Sequence, residues 1–170
     1  MIATLRTVQR LALIAAIVFI AGCANMTRAR GPFIQNNPDD GHWQGRLALK
    51  VHGTPAQAFT ANFELQGNAQ AGLLSFFTPL GSTAARLQWD AAGAQLQTNG
   101  EPQQFASLDA LTLYTTGASL PVTSLFAWLK GNEPVTPGWQ VDLRELPTGR
   151  LRAQRMAPDV PADLTIILDQ

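Results

Sequence analysis

The side chains that could make or break bonds are few and scattered. The chain of 170 residues has one cysteine, Cys23, and two histidines, His42 and His52. Neither histidine falls in the H-x-H or H-x-x-x-H spacing that turns two imidazoles toward one metal ion. No G-x-S-x-G elbow, P-loop or G-x-G-x-x-G run occurs, and no serine has a His and Asp placed near it in sequence. Asp39 and Asp40 adjoin each other in a polar stretch and read as solvated charges. One cysteine allows neither an internal disulfide nor a multi-cysteine zinc site. With 12 Lys+Arg against 12 Asp+Glu, there is no cationic excess to neutralise phosphates, which argues against nucleic acid as a partner. No catalytic residue, metal or cofactor is expected, and the chain is read as a non-enzyme.

Cys23 is the exception because of what precedes it. Arg6 and Arg10 give a basic start, and Leu11–Ala21 is an unbroken apolar run closed by Gly22. Such a run is too short for a transmembrane helix, which needs about 20 residues, and suits the ~7–15-residue core of an export signal. Ile20-Ala21-Gly22-Cys23 resembles the bacterial lipobox, after which cleavage leaves the cysteine at the new N-terminus with its sulfur bearing diacylglycerol. Residues 1–22 are then a lipoprotein signal peptide, and the mature form carries 10 basic against 12 acidic residues. Two acyl chains already anchor a protein stably. Asp after such a cysteine usually retains a Gram-negative lipoprotein in the inner membrane. Ala24 lacks that signal, so the expected address is the periplasmic face of the outer membrane.

Residues 23–42 form the lipidated N-terminus and a tether, rich in Asn, Gly, Pro and Asp without apolar period. A folded domain is expected over 43–170. From Gly45 the pattern has period two, with Leu47, Leu49 and Val51 alternating with polar positions. It repeats through Phe59, Ala61, Phe63 and Leu65 and again in Ala85, Leu87 and Trp89; the strand between them, Gly72 to Thr78, is apolar on both faces (Leu73, Leu74, Phe76, Phe77), and short strands are expected at Ala94 to Thr98 and Gln103 to Phe105. The period then changes. Ser107 can cap a helix with Leu108, Leu111 and Tyr114 on its apolar face, and Pro121 opens a second with Leu125, Phe126, Trp128 and Leu129. Strands at Trp139 to Leu143, Leu151 to Arg155 and Leu164 to Leu168 follow. The layout is a mostly-β or α+β fold, a curved antiparallel sheet with a small helical layer on one side.

The apolar inventory is therefore the feature to explain. Leu47, Leu49, Phe59, Phe63, Leu65, Leu74, Phe76, Leu87 and Trp89 fall on the sheet's inner face, and Leu111, Leu125, Trp128 and Leu129 on the helices. Patterning alone fits two outcomes: a filled core, or a sheet imperfectly closed by two short helices that leaves an apolar cavity. The first would suit an anchored assembly lipoprotein working through protein contacts. Leu80 is the other unusual residue. Pro79 and Gly81 flank it, so the chain must turn there and can display the side chain.

Several of these segments together resemble the outer-membrane lipoprotein receptor family LolB. They are Gly45-Arg46-Leu47-Ala48-Leu49, Ala61-Asn62-Phe63, Thr78-Pro79-Leu80-Gly81-Ser82-Thr83, and Leu120-Pro121-Val122 followed by Leu125, Trp128-Leu129 and Gly131. The resemblance implies a half-open β-barrel with a helical lid over a hydrophobic cavity. It implies a monomer that accepts lipoprotein cargo from a LolA-like periplasmic carrier and delivers it into the inner leaflet, with acyl chains as its only ligand. Leu80 matches the family's protruding loop leucine, which promotes insertion of the cargo. Two departures stand out. The family usually has an amphipathic helix between anchor and first strand, a period that Ala24 to Gly41 lacks. A strand pair between Gly131 and Trp139 is also missing, which implies a thinner lid and a smaller or more open cavity.

Overall fold

The computed structural model describes residues 38–116, 120–156 and 160–170. The expectations for Cys23, the signal segment and most of the tether lie outside them. Six strands run in order from the start: β1 Gly41–Val51, β2 Gln57–Gly67, β3 Gly72–Phe77, β4 Thr83–Asp90, β5 Gly93–Gln97 and β6 Gln103–Phe105. Helices α1 Leu108–Thr116 and α2 Val122–Leu129 follow, then β7 Trp139–Asp142, a 3-10 turn at Leu146–Thr148, β8 Arg150–Arg155 and β9 Ala162–Leu168. All pairings are antiparallel, and the strands form one unclosed sheet in the order β6-β5-β4-β3-β2-β1-β9-β8-β7. The fold is mostly β, as expected, with two helices on a curved sheet.

The alternation read from the sequence is what fixes the inner face. In β1, Leu47, Leu49 and Val51 are buried while Arg46 and Lys50 are exposed, because successive side chains leave a strand on opposite sides. The long β1–β2 hairpin holds register from Gly41↔Gly67 to Val51↔Gln57. Strand formation therefore starts at Gly41, two residues before the expected boundary of the domain, since Gly41 and His42 have partners across the hairpin. The turns after β2 and β4 use short polar side chains: the Asn68 carboxamide oxygen accepts from the N–H groups of Gln70 and Ala71 at 2.8 and 3.1 Å, and Asp90 accepts from Ala92 N–H at 2.7 Å. Gly45 is required where β1 meets β9, since a Cβ there would sit 2.0 Å from the Ile167 carbonyl oxygen.

The pairing of β1 with β9 joins the two meanders, Leu47 lying opposite Ile166 and Leu49 opposite Leu164. Ile166 is fully buried. Ile166→Ala is expected to cost about 2–5 kcal/mol and to lower the urea midpoint with little change in slope.

Both helices turn apolar faces inward. The Ser107 hydroxyl accepts from Ala110 N–H at 3.2 Å, capping α1, and Leu111 and Thr112 are its buried residues. Tyr114 does not join that face. It is 64% exposed, its ring tilted against Phe105 at 5.3 Å, because position 114 lies beyond the narrow stripe set by Leu111. In α2, Val122, Leu125, Phe126, Trp128 and Leu129 are all buried. Phe126 packs edge-on against Trp43 and Trp89 at 5.7 and 6.1 Å, and Trp128 leans on Trp139 at 6.2 Å. Thus α2 touches strands from both halves of the sheet. The expected absence of a strand pair before Trp139 matches a stretch that contains none; it folds back on α2 through the Thr136 hydroxyl, 2.8 Å from that of Ser124.

Candidate functional site

Between the sheet's inner face and the helices lies a cavity of about 370 Å³. The sheet contributes Leu47, Leu49, Val51, Leu74, Phe76, Ala85, Leu87, Trp89, Leu96 and Leu164, and the helical side contributes Leu120, Pro121, Val122, Leu125 and Trp128. Among the described residues that line it, none has an ionisable side chain; the polar ones are Gln57, Thr98, Thr112, Thr115 and Thr116. The chemistry such a lining offers is removal of apolar surface from water. Trp128 Nε1 is the one buried side-chain polar atom without a hydrogen-bond partner among the described residues.

The mouth is marked by lining residues that also face solvent: Gln57, Ala58, Phe59, Thr98 and Thr115. Phe59 is 42% exposed and meets Phe76 edge-on at 5.1 Å. It sits near the free end of β2, which runs past the end of β3: Asn62 pairs with Phe77, while Gln57 to Ala61 continue alongside β1 alone. The long first hairpin and the shorter β3–β4 hairpin are thus out of step, and the gap opens the cavity.

The β3–β4 hairpin supplies Phe76 and Ala85 to the lining and ends in the loop that carries Leu80. Thr78 and Ser82 close the loop: Thr78 N–H donates to the Ser82 carbonyl at 2.8 Å, Gly81 N–H to the Thr78 carbonyl at 2.9 Å, and Ser82 N–H to the Thr78 hydroxyl at 3.2 Å. Pro79 takes the second position of this turn, where its fixed φ is suited, and Gly81 adopts φ +83°. Leu80 is left 94% exposed, held out by a hydrogen-bonded turn. A Cβ on Gly81 would meet nothing within 4 Å. Gly81→Ala is therefore expected to lose only the backbone cost of a left-handed residue, about 1–2 kcal/mol, read as a lower denaturation midpoint.

Of the residues expected at a cavity, Leu47, Leu49, Phe59, Leu74, Phe76, Leu87, Trp89, Leu125 and Trp128 line it. Phe63, Leu65, Leu111 and Leu129 do not: they are buried at 3%, 1%, 0% and 6% exposure in the solid part of the core. Phe63 and Leu65 lie farther along β2, toward the end where Trp43, Trp89 and Phe126 pack together. Sequence reasoning missed Val51, Leu96, Leu164 and the threonines. Val51 and Leu164 continue periods already visible. The threonines carry no signal of their own, since a polar helix residue reads as solvent-facing.

The titratable groups lie elsewhere. His42 Nε2 is 2.8 Å from Glu64 Oε1, and His52 Nε2 is 2.6 Å from Asp163 Oδ2, both at exposed positions. Asp142, at the end of β7, is held well below the usual carboxylate range, chiefly by side-chain hydrogen bonds from Arg144 and then by that residue's backbone N–H. Among the described residues no group of three or more His, Cys, Asp or Glu could hold a metal ion.

Comparison with known proteins agrees with this geometry. Residues 41–157 match the family model described as outer membrane lipoprotein LolB. Among proteins named outer-membrane lipoprotein LolB, that of Chromobacterium violaceum is 27% identical over 126 residues, 73% of this chain and 68% of the relative. That of Ralstonia nicotianae is 30% identical over 138 residues, 78% of this chain and 65% of the relative. That of Bordetella pertussis is 31% identical over 118 residues, 68% and 58% respectively. The matches thus span about three fifths to two thirds of these relatives' length. The family match begins at the first residue of β1 and takes in the whole meander, both helices and β8, and on that ground the chain belongs to the outer membrane lipoprotein LolB family.

Proposed function

We propose that this chain is an acceptor for lipoproteins, held at the periplasmic face of the outer membrane by acyl groups on Cys23. It takes the acyl chains of its cargo from a LolA-like carrier into the cavity and releases them into the inner leaflet past the Leu80 loop. Residues 1–22 act as the signal, 23–40 as anchor and tether, and the domain that begins with β1 as the lipid-binding part. The observation that carries this reading is the cavity of about 370 Å³, with no ionisable side chain among the described residues that line it.

The magnitudes favour a direct handover. At ~30 Å³ each, close to the share of a water in the liquid, the cavity holds about 12 methylenes. At ~0.8 kcal/mol per methylene, exposing that length of chain to water costs about 10 kcal/mol. An equilibrium penalty of that size is about seven powers of ten. Free passage through water is thereby barred, whereas two apolar mouths placed together avoid the cost. No covalent step or nucleotide is required, because cargo moves down a gradient of affinity.

Depletion of the protein in its native cell is the test. Lipoproteins destined for the outer membrane are expected to accumulate on the carrier and in the inner membrane. Unchanged lipoprotein localisation after depletion would refute the role.

A further inference from the structure

Eight large apolar side chains are exposed among the described residues, and five of them, Phe59, Leu80, Val135, Met156 and Val160, gather at the end of the sheet where the cavity opens. A row of cross-strand partners marks that end: Gln57 at the mouth, then Val51, Ala162, Arg155 and Trp139. Val160 lies two residues before Ala162, Met156 directly after Arg155, and Val135 four residues before Trp139. Leu80 comes from β3, which runs toward the same end beside β2. The start of β2, with Gln57 and Phe59, thus stands in the sheet between the Leu80 hairpin and the turns that carry the other three. Hydrogen bonds hold those turns, as they hold the Leu80 loop. Arg155 Nε donates to the Val160 carbonyl at 2.8 Å, and Met156 N–H to the Gly138 carbonyl at 2.9 Å. Val135 is 99% exposed, while its neighbour Thr136 is fastened to Ser124 of α2 and accepts from Trp139 N–H at 3.0 Å.

Resting on the reading that cargo leaves this mouth for the bilayer, we propose that Val135, Met156 and Val160 are a second membrane contact, across the mouth from Leu80. Single apolar side chains scattered over a surface would mean nothing; these share one end with the mouth. A stable protein partner needs about 800 Å² of complementary surface on each side, which side chains on separate turns do not offer. A bilayer requires no matching shape, since each side chain enters the acyl region by itself and its burial adds to the total. One contact leaves the domain free to tip about Leu80. Two contacts, on either side of the start of β2, set the mouth against the lipid, so that an acyl chain leaves without crossing water.

The test uses the lipidated protein in liposomes of phosphatidylethanolamine and phosphatidylglycerol. Cys23 is the one cysteine of the chain and its sulfur is taken by the acyl group, so a cysteine introduced elsewhere carries an environment-sensitive dye alone. The dye is placed at Leu80→Cys, Val135→Cys and Val160→Cys, and at Ile167→Cys as the control. Ile167 and Val160 are equally exposed, at 41%, but Ile167 pairs with Arg46 and Arg150, five residues along β9 from the row at the mouth. Nitroxides on the lipid acyl chains are expected to quench the dye at Leu80, Val135 and Val160 and to leave that at Ile167 bright. Val135→Glu combined with Val160→Glu is expected to slow release of cargo into liposomes about tenfold and to change uptake from the carrier by less than about twofold. Dyes at Val135 and Val160 that stay bright, quenching at Ile167 as strong as at those two, or normal release by the double variant would overturn the second contact and leave the acceptor reading standing. So would dyes at Val135 and Val160 that respond to the carrier alone and not to liposomes, which would make that face a protein-docking surface. If the native protein releases no cargo into liposomes, the acceptor reading falls, and this inference with it.

Discussion

Leu80→Glu is expected to take up cargo from the carrier as the native chain does, within about twofold, and to fail at releasing it into liposomes by tenfold or more. The two halves of that result come from one structural fact. Leu80 is 94% exposed and contributes nothing to the core, so a substitution there changes stability by no more than about 0.5 kcal/mol. Nor does it line the cavity, so the acyl chains are held as before. What the leucine can do is enter the bilayer: burying it is worth about 1.5–3 kcal/mol, or roughly 10–150-fold in an equilibrium. A glutamate removes that gain and adds the cost of bringing a charge to the hydrocarbon edge. The Thr78–Ser82 hydrogen bonds and the φ of Gly81 keep the loop in place in both forms. Only its tip differs. Normal insertion by Leu80→Glu, measured with labelled lipoprotein and liposomes, would remove Leu80 from the mechanism.

Ala85→Trp is expected to do the opposite, blocking uptake and leaving the fold intact. Ala85 is half-buried, opposite Phe76 on the neighbouring strand, and its side chain lines the cavity. An indole there projects into space that already exists, so the ~1–3 kcal/mol penalty of overpacking a filled core does not apply. The thermal midpoint is expected to move by no more than about 4 °C. Affinity for an acyl probe is expected to fall tenfold or more, since the indole removes volume that about 12 methylenes would share. Uptake from the carrier should fall in parallel. Retention of full probe affinity by a folded Ala85→Trp protein would show that acyl chains bind somewhere else. Together the two variants separate reception from release: one is full and cannot discharge, the other stays empty.

How much of this was legible before the structure depended on the range of the interaction. The strands of the meander announced themselves because Leu47, Leu49 and Val51, or Leu87 and Trp89, alternate within a single strand, and alternation is local. Ser107, Pro121 and Gly131 marked the helices for the same reason. The order of the sheet was not legible. That β9 returns beside β1, setting Leu47 against Ile166, depends on a pairing across more than a hundred residues, which no local pattern encodes. The split between Phe59, on the cavity, and Phe63 and Leu65, in the solid core, was equally hidden. All three share one face of β2 and one period. They differ in how far β3 extends alongside: Phe63 and Leu65 lie opposite Phe76 and Leu74, while Phe59 lies beyond the end of the pairing with β3. The inward-facing threonines of α1 escaped because their hydroxyls are satisfied by the helix's own carbonyls, a solution that composition does not reveal. Leu80 stood out from Pro79 and Gly81, whereas its exposure follows from the closed hydrogen bonding of the turn.

The central claim is that this cavity receives the acyl chains of a lipoprotein. The most direct measurement loads the carrier with a lipoprotein labelled in its acyl chains, adds this protein in equal amount, and separates the two after equilibration. The label is expected to leave the carrier and co-purify with this chain, and to stay on the carrier when Ala85→Trp is used instead. Label remaining on the carrier in the presence of the native protein would contradict the claim.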